Sequence, residues 1–211
     1  MTRRNLLRSG AAAAVAGAAA NAQSTGGQRR IIDLTTYKLR NSLKNERAIL
    51  TDYLKDGLAP ALERAGVTPA GFFSSFIAPD GPYFSVVTSF ASMADWEATR
   101  GKVTSDRKYQ DALTSYSKAI AQSPVRMERT LLRAFPSVPK IEVPPAAKES
   151  NRVFELRTYE SNTLLTLGAK IKMFDDGEVS IFRRAGINPV FFGETIAGTN
   201  MPNLTYLVWY D

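Results

Sequence analysis

The stretch ERAGVTPAGFF, residues 63–73, returns as RRAGINPVFFG, residues 183–193. Arg-Ala-Gly, a hydrophobe, a polar residue, a proline and an aromatic pair occur twice in one order, so the fold must build the same local structure at two places. The likeness extends in both directions. IIDLTTYKL from Ile31 matches VFELRTYES from Val153, with Leu34, Thr36 and Tyr37 standing where Leu156, Thr158 and Tyr159 stand. The third strand of the first copy, Tyr83 to Phe90, is echoed by NLTYLVWY from Asn203. The offset is 122 residues at the first strand and 120 from Arg64 and Arg184 onward. A shift that small over three matched segments reads as a tandem duplication.

Each segment carries its own structural signal. Ile31 to Leu39 is rich in β-branched and aromatic residues and reads as a strand. Leu43, Leu50, Leu54, Leu58 and Leu62 share one helical face, with Gly66 as the C′ residue and a kink or restart expected near Gly57 because Pro60 falls inside the run. Thr68 to Ile77 and Tyr83 to Phe90 read as a hairpin around Asp80-Gly81-Pro82. Ser92 and Asp95 form a capping signal ahead of one helical stretch to Ile120, with Trp96, Tyr109, Leu113 and Tyr116 as core contacts. Arg126 to Phe135 alternates as a fourth strand.

The order β-α-β-β-α-β is the ferredoxin-like pattern. Residues 31–135 form the first such module. PSVPKIEVPPAAKES, with four prolines, makes 136–151 a semi-rigid linker. Residues 152–211 restart the pattern with a strand, a helix from Leu164 to Arg184, and two more strands. Asp211 falls where the first copy has Ala91, so the second module reads as incomplete, lacking its second helix and fourth strand. The fold class is α+β: tandem ferredoxin-like modules.

Residues 1–22 have the form of a signal peptide: Arg3, Arg4 and Arg8, an alanine-rich apolar run, then Ala20-Asn21-Ala22 as a cleavage site. Thr2-Arg3-Arg4-Asn5-Leu6-Leu7 resembles a twin-arginine export signal, which implies a periplasmic or secreted protein. The apolar run is too short to span a bilayer, so no membrane association is expected after cleavage. Residues 23–30 read as a flexible leader. Cleavage removes three arginines and lowers the net charge from +7 to +4. No basic run longer than a pair then remains, so nucleic acid is not an expected partner. Cysteine and histidine are both absent. Thiol nucleophiles, the usual proximal haem ligand and the commonest general base are thereby excluded, and no metal or cofactor is expected.

FELRTYES from Phe154, RRAGINPVFFG and LTYLVWYD together resemble the NIPSNAP domain, a member of the dimeric α/β barrel group. LTTYKL and ERAGVTPAGFF resemble it more loosely. The two copies cover nearly everything after Arg30. The resemblance implies ferredoxin-like modules with sheets placed face to face, within a chain or between the chains of a homodimer. It carries no settled activity for bacterial members. The link of eukaryotic relatives to mitochondria and vesicle traffic is set aside by the export signal.

The chemically capable residues lie on the first strand of each copy. Glu155, Arg157 and Tyr159 share one face by period-two alternation, and Asp33, Thr35 and Tyr37 share the equivalent face. With Phe154 and Leu156 turned toward the helices, the polar set is expected to face the barrel interior. There a carboxylate could take a proton, Arg could hold an anionic oxygen and Tyr could donate a hydrogen bond. The structural alternative is a cross-strand ion-pair network in which Tyr159 supplies ring area. Glu194 adds a carboxylate of uncertain face. Pro69 and Pro189 each begin a strand, and the pairs Phe72/Phe73 and Phe191/Phe192 bury rings or line a greasy cavity between sheets. Two functions stay open: a module binding a small apolar ligand or a periplasmic protein, and a cofactor-independent oxidoreductase or isomerase using the barrel cavity.

Overall fold

A computed structural model describes residues 28–40, 45–120, 126–145 and 152–210. The residues read as a signal peptide, Arg3 and Arg4 among them, and most of those read as a leader lie outside the described residues. The chain runs β1 (Ile31–Lys38), α1 (Glu46–Asp52), a π-helical segment (Tyr53–Leu58), α2 (Ala59–Arg64), β2 (Gly71–Ser74), β3 (Tyr83–Phe90), α3 (Met93–Ser105), α4 (Arg107–Ile120) and β4 (Arg126–Ala134). It continues with β5 (Val153–Glu160), α5 (Leu164–Met173), a second π-helical segment (Phe174–Glu178), α6 (Val179–Arg184), β6 (Asn188–Ala197) and β7 (Asn203–Tyr210). No helix among the described residues is long and apolar enough to cross a membrane.

The repeated Arg-Ala-Gly-hydrophobe is a helix stop. Gly66 and Gly186 take φ of +84° and +78°, a left-handed turn that favours glycine. Val67 N donates to Leu62 O and Gly66 N to Glu63 O, both at 2.9 Å. Ile187 N to Phe182 O (2.9 Å) and Gly186 N to Arg183 O (3.2 Å) repeat the pattern. These paired bonds satisfy carbonyls that a helix end leaves open, and the following hydrophobe turns back into the core. The irregularity expected at Pro60 takes the form of the first π-helical segment. It recurs in the second half, which has no proline there; Asp56-Gly57 and Asp176-Gly177 are what the two segments share.

Several elements differ from expectation. The stretch to Ile120 divides at Asp106, whose ψ of 116° is extended. Asp106 Oδ1 accepts from Tyr109 N at 3.0 Å and so caps α4, while Oδ2 accepts from Arg64 Nε at 2.6 Å. That guanidinium lowers the Asp106 pKa to about 2. β2 is only four residues long, and Pro69 precedes it rather than beginning it. Pro189 does lie at the start of β6, where the register against β7 slips between Pro189 and Phe191. The first part of the proline-rich segment is packed rather than a free linker: Phe135 and Val138 form a bridge and are fully buried, and Glu142 N donates to Val190 O at 2.8 Å. Of that segment, residues 146–151 lie outside the description.

All seven strands belong to one antiparallel sheet in the order β2-β3-β1-β4-β6-β7-β5. β2-β3-β1-β4 is the ferredoxin-like order, and β6-β7-β5 follows the same sequence of neighbours. The halves are joined edge to edge by β4 and β6, where Ala134 pairs with Gly193. Gly193 is required by proximity, since a Cβ there would stand 2.7 Å from Leu132 Cβ. The sheet curls until Phe73 of β2 and Phe154 of β5, its two edge strands, meet with ring centroids 5.0 Å apart.

Curling buries the inner face, and the helices cover much of the outer one. The inner face holds Ile32, Leu34, Val87, Leu132, Phe191, Leu207 and Trp209, with Phe73, Phe154 and Leu156 packed against them. The outer face of the first half packs Ile31, Val86 and Phe90 against Leu50, Leu54, Leu58 and Leu62. That of the second half packs Phe192, Leu204, Tyr206 and Val208 against Leu167, Phe174 and Val179.

Candidate functional site

The polar strand residues lie on the face opposite to the one expected. Phe154 and Leu156 turn into the curled interior, while Glu155, Arg157 and Tyr159 stand with their cross-strand partners Val208, Tyr206 and Leu204 on the helix-covered face. Asp33, Thr35 and Tyr37 do the same in the first half. When both faces of a sheet are buried, alternation separates two faces without saying which one the helices cover. The interior is filled by aliphatic and aromatic side chains; the polar residues stand on the outer face, where Asp33 meets Trp96 of α3 and Glu155 and Arg157 meet Tyr206 and Tyr210 of β7.

The two sets have different fates. In the second half, Arg157 Nε and Nη2 donate to Glu155 Oε1 and Oε2 at 2.6 and 2.7 Å. The Tyr210 hydroxyl also donates to Glu155. Arg157 Nη1 donates to the Tyr206 hydroxyl at 3.2 Å, which in turn donates to that of Tyr159 at 2.9 Å. The Arg157 hydrogen bonds, then that of Tyr210, hold the Glu155 carboxyl below its ordinary pKa. The Glu155 bonds raise that of Arg157. Around them Tyr206 stacks on Phe192 with centroids 4.6 Å apart and planes 5° from parallel, and Phe174 and Phe182 pack against both rings. The acid and the arginine satisfy each other along β5 rather than across strands, and the cross-strand bonds come from Tyr206 and Tyr210.

The first half instead has a cavity on its helix-covered face, walled in part by α3, α4 and β4, which have no counterpart among residues 152–210. A cavity of about 350 Å³ lies between the outer sheet face and the helices, walled by Asp33, Thr35 and Tyr37 of β1, Val86 and Thr88 of β3, Leu58 and Leu62, Val103 of α3, Tyr109 and Tyr116 of α4, and Arg129 of β4. At an offset of 120, Leu54, Leu62 and Val86 stand where Phe174, Phe182 and Tyr206 stand. Aliphatic side chains here replace the rings that close the second half.

One end of the cavity is polar. Asp33, only 5% exposed, accepts at Oδ1 from the Thr35 hydroxyl (2.7 Å) and at Oδ2 from Trp96 Nε1 (2.7 Å). Arg129 Nε lies 3.1 Å from both Asp33 Oδ2 and Thr35 Oγ1. Buried charge is tolerated because it is paired and hydrogen-bonded. The Tyr37 hydroxyl is pushed well above its ordinary pKa, first by burial and then by neighbouring Tyr109. Tyr53 and Tyr109 share a hydrogen bond of 2.9 Å, and the Tyr53 ring stacks on Tyr116 at 4.5 Å.

Of the residues singled out in the sequence, Asp33 and Tyr37 therefore line a cavity, while Glu155, Arg157 and Tyr159 form a closed cluster. Glu194 lies on β6, 3.9 Å from Arg29, away from both. Arg129 and the ligand-sized space escaped the sequence reading. Arg129 pairs directly with Thr35 across β1 and β4. Its available signal was an arginine alternating with Met127 and Leu131 on one strand face. Among the described residues no group of acidic side chains could hold a metal ion.

The fold that carries these sites is α+β and ferredoxin-like, and two solved structures share it along most of the chain. A proposed monooxygenase from Lactobacillus acidophilus NCFM superposes with a TM-score of 0.57 at 11% identity, covering 86% of this chain and 77% of its own. One from Fusobacterium nucleatum superposes with a TM-score of 0.54 at 12% identity, covering 86% and 75%. At such identity the likeness concerns the fold alone. A NIPSNAP family protein of unknown function from Agrobacterium tumefaciens aligns with 50% of this chain and 88% of its own length, at 19% identity and a TM-score of 0.39. No protein-family model and no curated protein matches the chain.

The Glu155–Arg157 pair makes stability depend on pH. A carboxyl whose folded pKa is depressed adds stability above its ordinary value, near 4.5, and loses it as pH falls through the folded value. Glu155→Gln should melt below wild type at pH 7, with a gap that narrows below about pH 4.5 as the wild type also loses the pair. A gap unchanged from pH 7 to pH 3, followed by circular dichroism, would show that the pair contributes nothing.

Proposed function

We propose that this protein is an exported binding module of the NIPSNAP type, and that the cavity of its first half holds a small, largely apolar ligand. The observation that carries the proposal is the cavity itself: about 350 Å³ with an apolar body and a few convergent polar groups at one end. A volume of that size falls in the range of roughly 300–1,000 Å³ common for small-molecule sites. Support for export lies in Arg3, Arg4 and the alanine-rich run; support for the family lies in the repeated strand and turn motifs.

The monooxygenase names attached to two neighbours of the same fold suggest the oxidoreductase or isomerase alternative. Binding is favoured over it because both oxygens of Asp33 are occupied, leaving no carboxylate at the wall free to take a proton.

A neutral bicyclic aromatic, 2-naphthalenemethanol, should raise the melting temperature saturably, by about 5 to 10 °C at a hundredfold excess over Kd. Leu62→Phe, which installs the ring found at Phe182, should fold and lose that response. An equal response in both proteins would remove the cavity from the account. Export is checked separately: replacing Arg3 and Arg4 by lysines should leave the precursor in the cytoplasm on cell fractionation, and unimpaired appearance of the processed chain outside it would contradict the twin-arginine reading.

A further inference from the structure

The walls of the cavity are unbalanced in charge and in hydrogen-bonding capacity, and on the cavity reading above this bears on what the ligand must be. Three lining residues are charged: Asp33, Arg100 and Arg129. Asp33 is saturated by Thr35, Trp96 and Arg129. Arg129 commits only its Nε; among the described residues its two outer nitrogens meet no acceptor. The guanidinium of Arg100, on the exposed side of α3, makes no hydrogen bond or ion pair among the described residues. Its guanidinium carbon lies 4.6 Å from the centroid of the Trp96 ring, and that of Arg129 lies 5.9 Å from it. Both cations border one indole, and both residues line the cavity. Arg100 is the charge left without a counterpart.

The neutral groups lean the same way. Burial raises the pKa of Tyr37 and of Tyr116, so both phenols stay protonated at neutral pH and can donate. Neither hydroxyl has a partner among the described residues. A site offering unpaired cationic and phenolic donors, and no free carboxylate, is complementary to an oxygen anion. The apolar remainder, formed by Leu58, Leu62, Val86 and Val103, suits a ring or a compact hydrocarbon.

We infer that the ligand is a planar organic anion, an aromatic carboxylate or an enolate, with its charged oxygens held by Arg100 and Arg129 beside Trp96 and its ring among Leu62, Val86 and Val103. Arg100 then sets the preference for charge, and Arg129 both positions Asp33 and reaches the anion. A guanidinium offers two parallel donors to a carboxylate, and the pair is stronger at a partly enclosed site than in open water.

Three probes of one shape decide the matter: 2-naphthoate, 2-naphthalenemethanol and 2-naphthylmethylammonium, titrated calorimetrically into the full chain at pH 7.5 and low salt. The expected order is naphthoate about tenfold tighter than the alcohol, and the ammonium weakest. Arg100→Gln should remove most of the naphthoate advantage and leave alcohol affinity within about twofold, while Arg129→Lys, which keeps the charge but not the fork, should weaken naphthoate selectively. An alcohol that binds as tightly as naphthoate overturns this inference and leaves the cavity reading standing. So does a naphthoate advantage untouched by either substitution. Absence of binding by all three probes overturns both.

Discussion

The size of three side chains between sheet and helix, two on the helical segments and one on a strand, sets the two halves of this structure apart. Where the second half presents Phe174, Phe182 and Tyr206, the first presents Leu54, Leu62 and Val86 on the same scaffold. The rings of the second half interlock with Phe192 into a packed aromatic cluster. Smaller groups cannot span the same gap between sheet and helix, and α3 and α4 close over it without filling it. Protein interiors are close-packed, and a partly open cavity of this volume forgoes contacts that dense packing would make, at some cost in stability. That cost is intelligible if the space is used.

The curled sheet decides what the void can contain. Joining β4 to β6 makes a single curled sheet whose outer face is largely covered by helices, and polar groups buried there must find partners. Each half places an acid at the same point of its first strand, Asp33 or Glu155, and each acid meets an arginine. The arginines come from different places. Arg157 sits two residues along β5 from Glu155 and grips it with two nitrogens, whereas Arg129 reaches Asp33 from β4 through Nε alone. The first arrangement consumes the cation; the second leaves its outer nitrogens available.

Much of the architecture was legible in the sequence because local chemistry fixes it. The repeated Arg-Ala-Gly-hydrophobe ends a helix through hydrogen bonds that its own residues supply, and the alternation of Tyr83 to Phe90 marks the strand observed. Asp33 and Tyr37 were recognised as chemically capable. The face they occupy was misassigned, because alternation is silent about which buried face the helices cover. Arg129 was missed since its meeting with Asp33, 96 residues away in the chain, depends on β1–β4 register, a tertiary fact. The break at Asp106 was hidden for a related reason: a helical pattern continues on both sides, and the residue's role as cap depends partly on Arg64 far away in the chain.

Xenon pressurisation of crystals examines the asymmetry without reference to any ligand, since an apolar void of sufficient size binds the gas. The account predicts xenon density in the first half among Leu62, Val86 and Val103, none among Phe174, Phe182 and Tyr206, and none in a Val86→Phe variant. Xenon absent from the first half, or present equally in both, would contradict it.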